Sequence, residues 1–233
     1  MTTKRADGLE TRRRLLDAAS VLFAEQGLRE TKTADICRAA RANIAAVNYH
    51  FGGKEQLYVA AWRHAFERSI VAYPPDGGVS PGAPAEDRLR GHILAAVNRF
   101  MDPLSRDLDM AHRELSNPTG LLAEVMHRSI EPLRQMHLAI VRELLGRSAA
   151  EQDVQLCAMS IHAQCFAVLM HERRQRLAPR GIPRQGPPPL NVGGPVLAAH
   201  IARFSLAGIR EVRGGTSPAG RKGGGRVPGG RSR

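Results

Sequence analysis

The sequence lacks most of what would mark an enzyme, a secreted scaffold or a membrane protein. Its three cysteines, Cys37, Cys157 and Cys165, are odd in number and not densely spaced, which argues against a disulfide framework and suits a reducing compartment. No segment approaches the about 18 uninterrupted apolar residues of a membrane span. The basic N-terminus, MTTKRADGLETRRR, has no apolar run behind its charges, so no targeting segment is expected. Two-residue alternation is missing too, which removes strands from the reading. There is no Gly-rich phosphate loop after a strand, no HExxH and no Ser/His/Asp pattern, so an all-helical enzyme acting through His and Cys rests on residue counts alone. These absences point to a cytoplasmic, non-enzymatic protein without cofactor or membrane partner.

What the chain does have is positive charge. The formal net charge is +12 over 233 residues, which makes a polyanion the first partner to consider. Part of that excess lies at the end. Arg213, Arg221, Lys222, Arg226, Arg231 and Arg233 stand among Gly, Pro and Ser without one acid, and a stretch of that composition cannot bury a core, so residues 213–233 are expected to be disordered. Removing them leaves about +6 by the same count. The basic bias is therefore not only a tail effect.

Between the tails, apolar residues recur at three and four, and the expected fold is all-α. Residues 1–10 read as a flexible arm. A first helix runs from Thr11 to Gln26, with Leu15, Leu16, Ala19, Leu22 and Phe23 on one face and Gly27 as its C-cap. A short second helix, capped by Thr33, reaches Ala40. A third follows Asn43, a good N-cap, with Ile44, Val47 and Phe51 on adjoining turns. Two short helices separated by Arg41 and Ala42 and braced by a longer one make a helix-turn-helix over residues 11–58. A fourth helix starts at Gly52-Gly53 and reaches Tyr73, and the run Pro74 to Pro84 marks a linker, so 59–84 reads as connecting helix and linker. Beyond it, 85–212 reads as a helical domain with helices 86–101, 104–116, 121–145, 154–177 and 196–212. Pro132 should kink or divide the third of these.

The third helix carries the chemistry. A recognition helix must enter a major groove about 12 Å wide, and the small Ala45 and Ala46 permit close approach. Asn43 and Asn48 offer amide donors and acceptors to base edges, and Ile44 can meet a thymine methyl. Tyr49 can donate to a phosphate. Lys54 adds charge at a helix start where backbone N–H groups favour an anion. Val47 and Phe51 read as core. His50 is open between a phosphate contact and a hydrogen bond within the turn. Arg12, Arg13 and Arg14 stand where they oppose the helix dipole, as phosphate ligands or as a solvated first turn.

The pattern helix, Gly, short helix, turn, NIAAVNYHF, GGKEQLY resembles the DNA-binding domain of the TetR family of bacterial transcriptional regulators. HRELSNPTGLL, AIVRELLG, QLCAMSIHAQC and HIARFSLAGI resemble the C-terminal domain of its CecR-like subgroup. The resemblance implies DNA contacts at Thr33, Asn43, Ala45, Asn48, Tyr49, His50 and Lys54. It also implies a homodimer formed through the last two helices and a small-molecule effector that releases a repressor from a palindromic operator. Arg41 departs from the family, which has Gly at this turn position. A left-handed backbone there would cost Arg about 1 kcal/mol relative to Gly.

For the effector, the polar residues inside apolar helices are the candidates: His112, Arg113, Met126, His127, His162 and Cys165. Arg113 could instead pair with Glu114. His162 and Cys165 are three apart, but two ligands without a paired signature do not make a metal site. Met159, Phe166, Leu169, Ile201, Phe204, Leu206 and Ile209 are open between dimer interface and core. The rival reading is a sequence-nonspecific nucleic-acid binder that uses the basic tail.

Overall fold

A computed structural model describes residues 2–177 and 192–215. The Pro-rich connection and the basic tail from residue 216 onward lie outside the described residues. Those described form helices and their connections, with no strand among them. The order is α1 (Thr2–Glu30), α2 (Thr33–Ala40), α3 (Ile44–Phe51), α4 (Lys54–Ala72), α5 (Ala85–Met101), α6 (Arg106–Ser116), α7 (Ala123–Leu145), α8 (Glu151–Leu177) and α9 (Gly194–Gly214).

Four local expectations are corrected. Helix α1 begins at Thr2 rather than Thr11, so the first ten residues do not form an irregular arm. Arg13 joins this extension to the helix body through Glu10, three residues before it, and Asp17, four after it. Gly27 adopts φ 81°, ψ 172°, a conformation open to glycine, and marks a kink after which the helical turns continue to Glu30. Thr33 is the first residue of α2 rather than its cap; the cap position belongs to Lys32, which makes no side-chain capping bond. Pro132 lies inside a continuous α7 and does not divide it.

Two cores form. The N-terminal one gathers Leu15, Phe23, Ile36, Val47, Leu57, Tyr58, Trp62 and Phe66 from α1 to α4. It is completed from the other half of the chain by Met110 of α6 and by Leu122 and Val125 at the start of α7. The C-terminal core gathers Leu89, Ile93 and Val97 of α5, Leu138, Ile140 and Val141 of α7, Val154 and Ile161 of α8, and Ile201, Leu206 and Ile209 of α9. At about 25 cal/mol per Å² of apolar surface, each fully buried Leu, Ile or Phe contributes about 1.5–3 kcal/mol.

Helix α6 binds the two halves together. Trp62 Nε1 donates to the Asp107 carbonyl at 3.1 Å, and Tyr58 OH donates to Glu114 at 3.2 Å. Arg99 pairs with the buried Asp107, donates to Ser69 Oγ at 2.8 Å and lies over the Phe66 ring. Burial pushes the Asp107 carboxyl upward, and Arg99 opposes that shift. The linker after α4 is seated closely on α5, because Gly77 (φ 62°) meets Gly91. A methyl on Gly77 would come within 2.3 Å of the Gly91 carbonyl oxygen.

Candidate nucleic-acid interface

The geometry of α3 follows from its ends. Asn43 accepts a hydrogen bond from the Ala45 N–H at 3.0 Å through its side-chain oxygen, starting the helix as a cap. Its amide NH2 remains outside that capping bond and can donate to a base. At the other end the Gly52 N–H donates to the Asn48 carbonyl at 2.9 Å, with Gly52 at φ 86° and Gly53 at φ 154°. Two successive residues in conformations that favour glycine let α4 start immediately. A turn of that sharpness sets the angle between α3 and the long helix behind it.

Between these ends α3 divides cleanly. Val47 is buried, and Phe51, half-buried, packs against the same core with the Arg12 guanidinium 5.1 Å from its ring centroid. Asn43, Ile44, Ala45, Asn48 and Tyr49 are exposed, while Ala46 and His50 are half-buried. Ile44 and Tyr49, at 54% and 84% exposure, are among the more open large apolar residues. That matters because side chains able to bury apolar surface stay on the outside only where packing leaves them there. The His50 ring stands edge-on to Tyr49, and a methyl on Gly8 would lie 3.9 Å from its Cε1. His50 is thus wedged between α3 and the start of α1.

The flanking cations are placed differently. Lys54 Nζ reaches the Arg29 carbonyl at 3.4 Å, holding the start of α4 near the end of α1. Thr33, half-buried, opens α2. Arg41 is exposed and left-handed (φ 51°, ψ 49°); its N–H donates to the Arg38 carbonyl, and the Ala42 N–H donates to the Cys37 carbonyl at 2.9 Å. The turn therefore has the geometry that glycine serves best, adopted here by arginine. Of the three N-terminal arginines, Arg13 is engaged by Glu10 and Asp17, Arg14 by Thr11 at 3.2 Å and Arg12 by Phe51. All three have partners within the chain.

The six effector candidates do not converge. His112 and Arg113 line an open groove of about 810 Å³ between the end of α1 and α6. Arg113 does not pair with Glu114. It donates to the Ala24 carbonyl at 2.7 Å and to the Glu25 carbonyl, satisfying groups near the kinked end of α1. Glu114 turns the other way, accepting from Tyr58, from Thr119 and from the Gly120 N–H. Met126 packs against the N-terminal core and His127 is exposed on α7. His162 and Cys165 stand on α8, where Cys165 is buried and its thiol is pushed up to about 12 by desolvation. No cluster of metal-ligating groups forms among the described residues.

The sequence reading passed over two residues of greater interest. His92 of α5 and His137 of α7 interrupt apolar faces just as His162 does, and the fold places them in hydrogen-bonding contact at 3.1 Å. The same criterion would have found them.

Of the proposed dimer residues, Ile201, Leu206 and Ile209 are buried in the chain's own core, so they are not free to form an interface. Phe166 is half-buried, and Leu169's side chain lies outside those described. Met159 (61%) and Phe204 (64%) are exposed, together with Leu156 on α8 and Val196 on α9.

Comparison with known proteins agrees in both halves. The family model for bacterial regulatory proteins of the tetR family matches residues 15–61. The model for the C-terminal domain of the HTH-type transcriptional dual regulator CecR matches residues 85–209, more than half of the chain. The CecR regulator of Shigella flexneri is 30% identical over 152 residues, covering 61% of this chain and 68% of that one. The probable acrEF/envCD operon repressor of Escherichia coli K12 is 36% identical over 58 residues, about a quarter of each chain. Among solved structures, a TetR-like transcriptional regulator from Rhodococcus sp. RHA1 superposes with a TM-score of 0.61 at 18% identity, covering 86% of this chain and 96% of that one. The fatty acid degradation regulator FadR from Bacillus halodurans gives 0.63 at 13% identity with the same coverage. At such identities the structural likeness concerns the fold alone.

Proposed function

We propose that this chain, which belongs to the TetR family of bacterial transcriptional regulators and carries a CecR-type C-terminal domain, is a homodimeric repressor released from a palindromic operator by a small molecule. The observation that carries the reading is the open face of α3. Ile44, Ala45, Asn48 and Tyr49 face away from a core that holds the same helix through Val47. Asn48 and the free amide of Asn43 read base edges, Ile44 meets a thymine methyl, and Ala45 and Ala46 allow the close approach. Tyr49, His50, Thr33 and Lys54 position the helix on phosphates.

Two copies are needed to read half-sites about 34–36 Å apart. The exposed stripe of Leu156, Met159, Val196 and Phe204 on α8 and α9 supplies an apolar face for that pairing. Release follows if an effector in the C-terminal half alters the separation of the two α3 helices. Relatives described as an operon repressor and a dual regulator favour control of an operon; the proposed place of action is the cytoplasm.

The test is selection from a random duplex library with the full chain at low salt. A two-fold symmetric site should emerge. Recovery of random duplex, with binding abolished by deleting residues 217–233, would replace this reading with nonspecific binding through the tail. Asn48→Ala should relax preference at one base position by about 1–3 kcal/mol. Tyr49→Phe should weaken binding to every sequence alike, by about 1 kcal/mol.

A further inference from the structure

Left-handed backbone belongs to glycine almost everywhere in this chain. Seven glycines among the described residues have positive φ, and Arg41, at φ 51°, is the one residue with a side chain that joins them. An L-residue in this conformation brings its Cβ against the following carbonyl oxygen, a strain that Asn and Asp relieve by bonding locally through their short side chains. Arginine has no such relief. A residue held in a strained conformation persists where something else over-determines it, and such residues gather at binding sites.

The chain's own contacts do not account for Arg41. It is exposed, and its guanidinium has no hydrogen bond, ion pair or ring contact among the described residues. The cations around it are engaged: Arg38 pairs with Asp35 at 2.8 Å, Arg12 lies over Phe51, and Lys54 reaches the Arg29 carbonyl. Nor does the end of α2 call for a second cation. Arg38 already stands in its last turn, where positive charge complements the helix dipole without leaving the right-handed region. Residues 36–54 contain no Asp or Glu, so no carboxylate from the turn or from α3 can serve as a counter-ion.

Arg41 stands two residues before Asn43, the cap of α3. A recognition helix sets its N-terminal residues against base edges, so the turn ahead of the cap lies at the rim of the groove, where the sugar-phosphate backbone runs. We propose that Arg41 grips a backbone phosphate at the entrance of α3, and that the left-handed turn gives up stability to hold it there. This rests on the reading of α3 as the DNA-facing helix. It adds a contact from a turn position that the TetR pattern leaves to glycine. The planar guanidinium can take two phosphate oxygens at once. Such a contact fixes orientation and register without reading sequence, so Arg41 acts by setting where Asn43 and Ile44 meet the bases.

The test uses the full chain on its selected operator, on single-base variants of that operator and on random duplex, with salt varied from about 50 to about 200 mM. Arg41→Gly keeps the turn, because glycine adopts the left-handed conformation without strain, and so removes only the side chain and its charge. It should weaken binding to the operator and to each of its variants by the same factor, about tenfold or more at the lower salt. The log–log salt slope should fall by about 0.9 for each protomer, or about 1.8 for a dimer. Over that fourfold range the wild-type affinity then drops about tenfold further than that of the variant. Arg41→Lys should keep the slope and lose part of the affinity, since an ammonium lacks the fork. Unaltered affinity and slope in Arg41→Gly would overturn the proposal. So would a loss confined to one base position, which would make Arg41 a base reader, or a lowered denaturation midpoint, which would tie its side chain to the fold. Arg41→Lys losing as much slope as Arg41→Gly would show that the charge is not what acts. Should no operator emerge from the selection, the repressor reading fails by itself, and the slope on random duplex still decides Arg41.

Discussion

The two cores are built from different materials. The N-terminal core is aromatic, and its rings are tied down: Phe23 stands edge-on to Tyr58 at 5.0 Å, Trp62 stacks on Phe66 at 5.1 Å, and the polar tips of Tyr58 and Trp62 are both hydrogen-bonded to α6. The C-terminal core is largely aliphatic, with Leu, Ile and Val from α5, α7, α8 and α9. Rings with anchored tips have few ways to repack, whereas branched aliphatic side chains tolerate rearrangement at small cost. The first arrangement suits a surface held in one geometry, and the second leaves more room for repacking.

The contrast can be broken most forcefully at Trp62. Trp62→Ala removes the largest fully buried side chain together with its hydrogen bond to the Asp107 carbonyl, and should cost about 3–5 kcal/mol, read by chemical denaturation. If the N-terminal core is the rigid one, operator binding should fall with it, whereas Val141→Ala should lose stability but keep binding. Equal losses of binding would remove the distinction.

The next effect is on pH. The His137 pKa is depressed in the folded chain, so its contribution is fully present above about 6.5, the unfolded value. It is lost progressively as pH falls from there toward about 3, at up to about 1.4 kcal/mol per pH unit. Denaturation midpoints between pH 7 and 4 should therefore decline less steeply in His137→Phe than in the wild type. An unchanged slope would show that the imidazole is not held neutral by burial. The smallest effect is at Arg41. Replacing this left-handed residue by Gly should stabilise the N-terminal half by about 1 kcal/mol, measurable as a raised midpoint. Loss of stability instead would mean that the arginine side chain offsets its backbone cost.

The same contrast explains what was legible beforehand. The helix-turn-helix could be read because its signals are local: Asn43 caps, Gly52 and Gly53 turn, and Val47 faces inward at helical spacing. The outward set on α3 follows from that spacing, and the structure leaves it uncovered. Long-range partners were not legible. Arg113 and Glu114 are adjacent in sequence and look like a pair, yet one serves α1, about 90 residues earlier in the chain, and the other serves Tyr58 and the turn at Thr119. The fates of Ile201, Leu206 and Ile209 were undecided for the same reason, because helical spacing marks an apolar face but not what covers it. Helix α1 was read too short, since charge alone does not stop a helix and the first true break in it is Gly27.

The N-terminal core takes Met110, Leu122 and Val125 from beyond the linker, and this bears on how the chain is made. When α4 leaves the ribosome, the DNA-facing unit is still missing part of its own interior, and the end of α1 still lacks Arg113. Some 55 further residues must be synthesised before Val125 can close it, roughly 3–11 s at usual elongation rates. For that interval a nascent chain exposes Tyr58 and Trp62 on an unfinished surface. The regulator can complete its helix-turn-helix half only after the C-terminal half has begun to emerge.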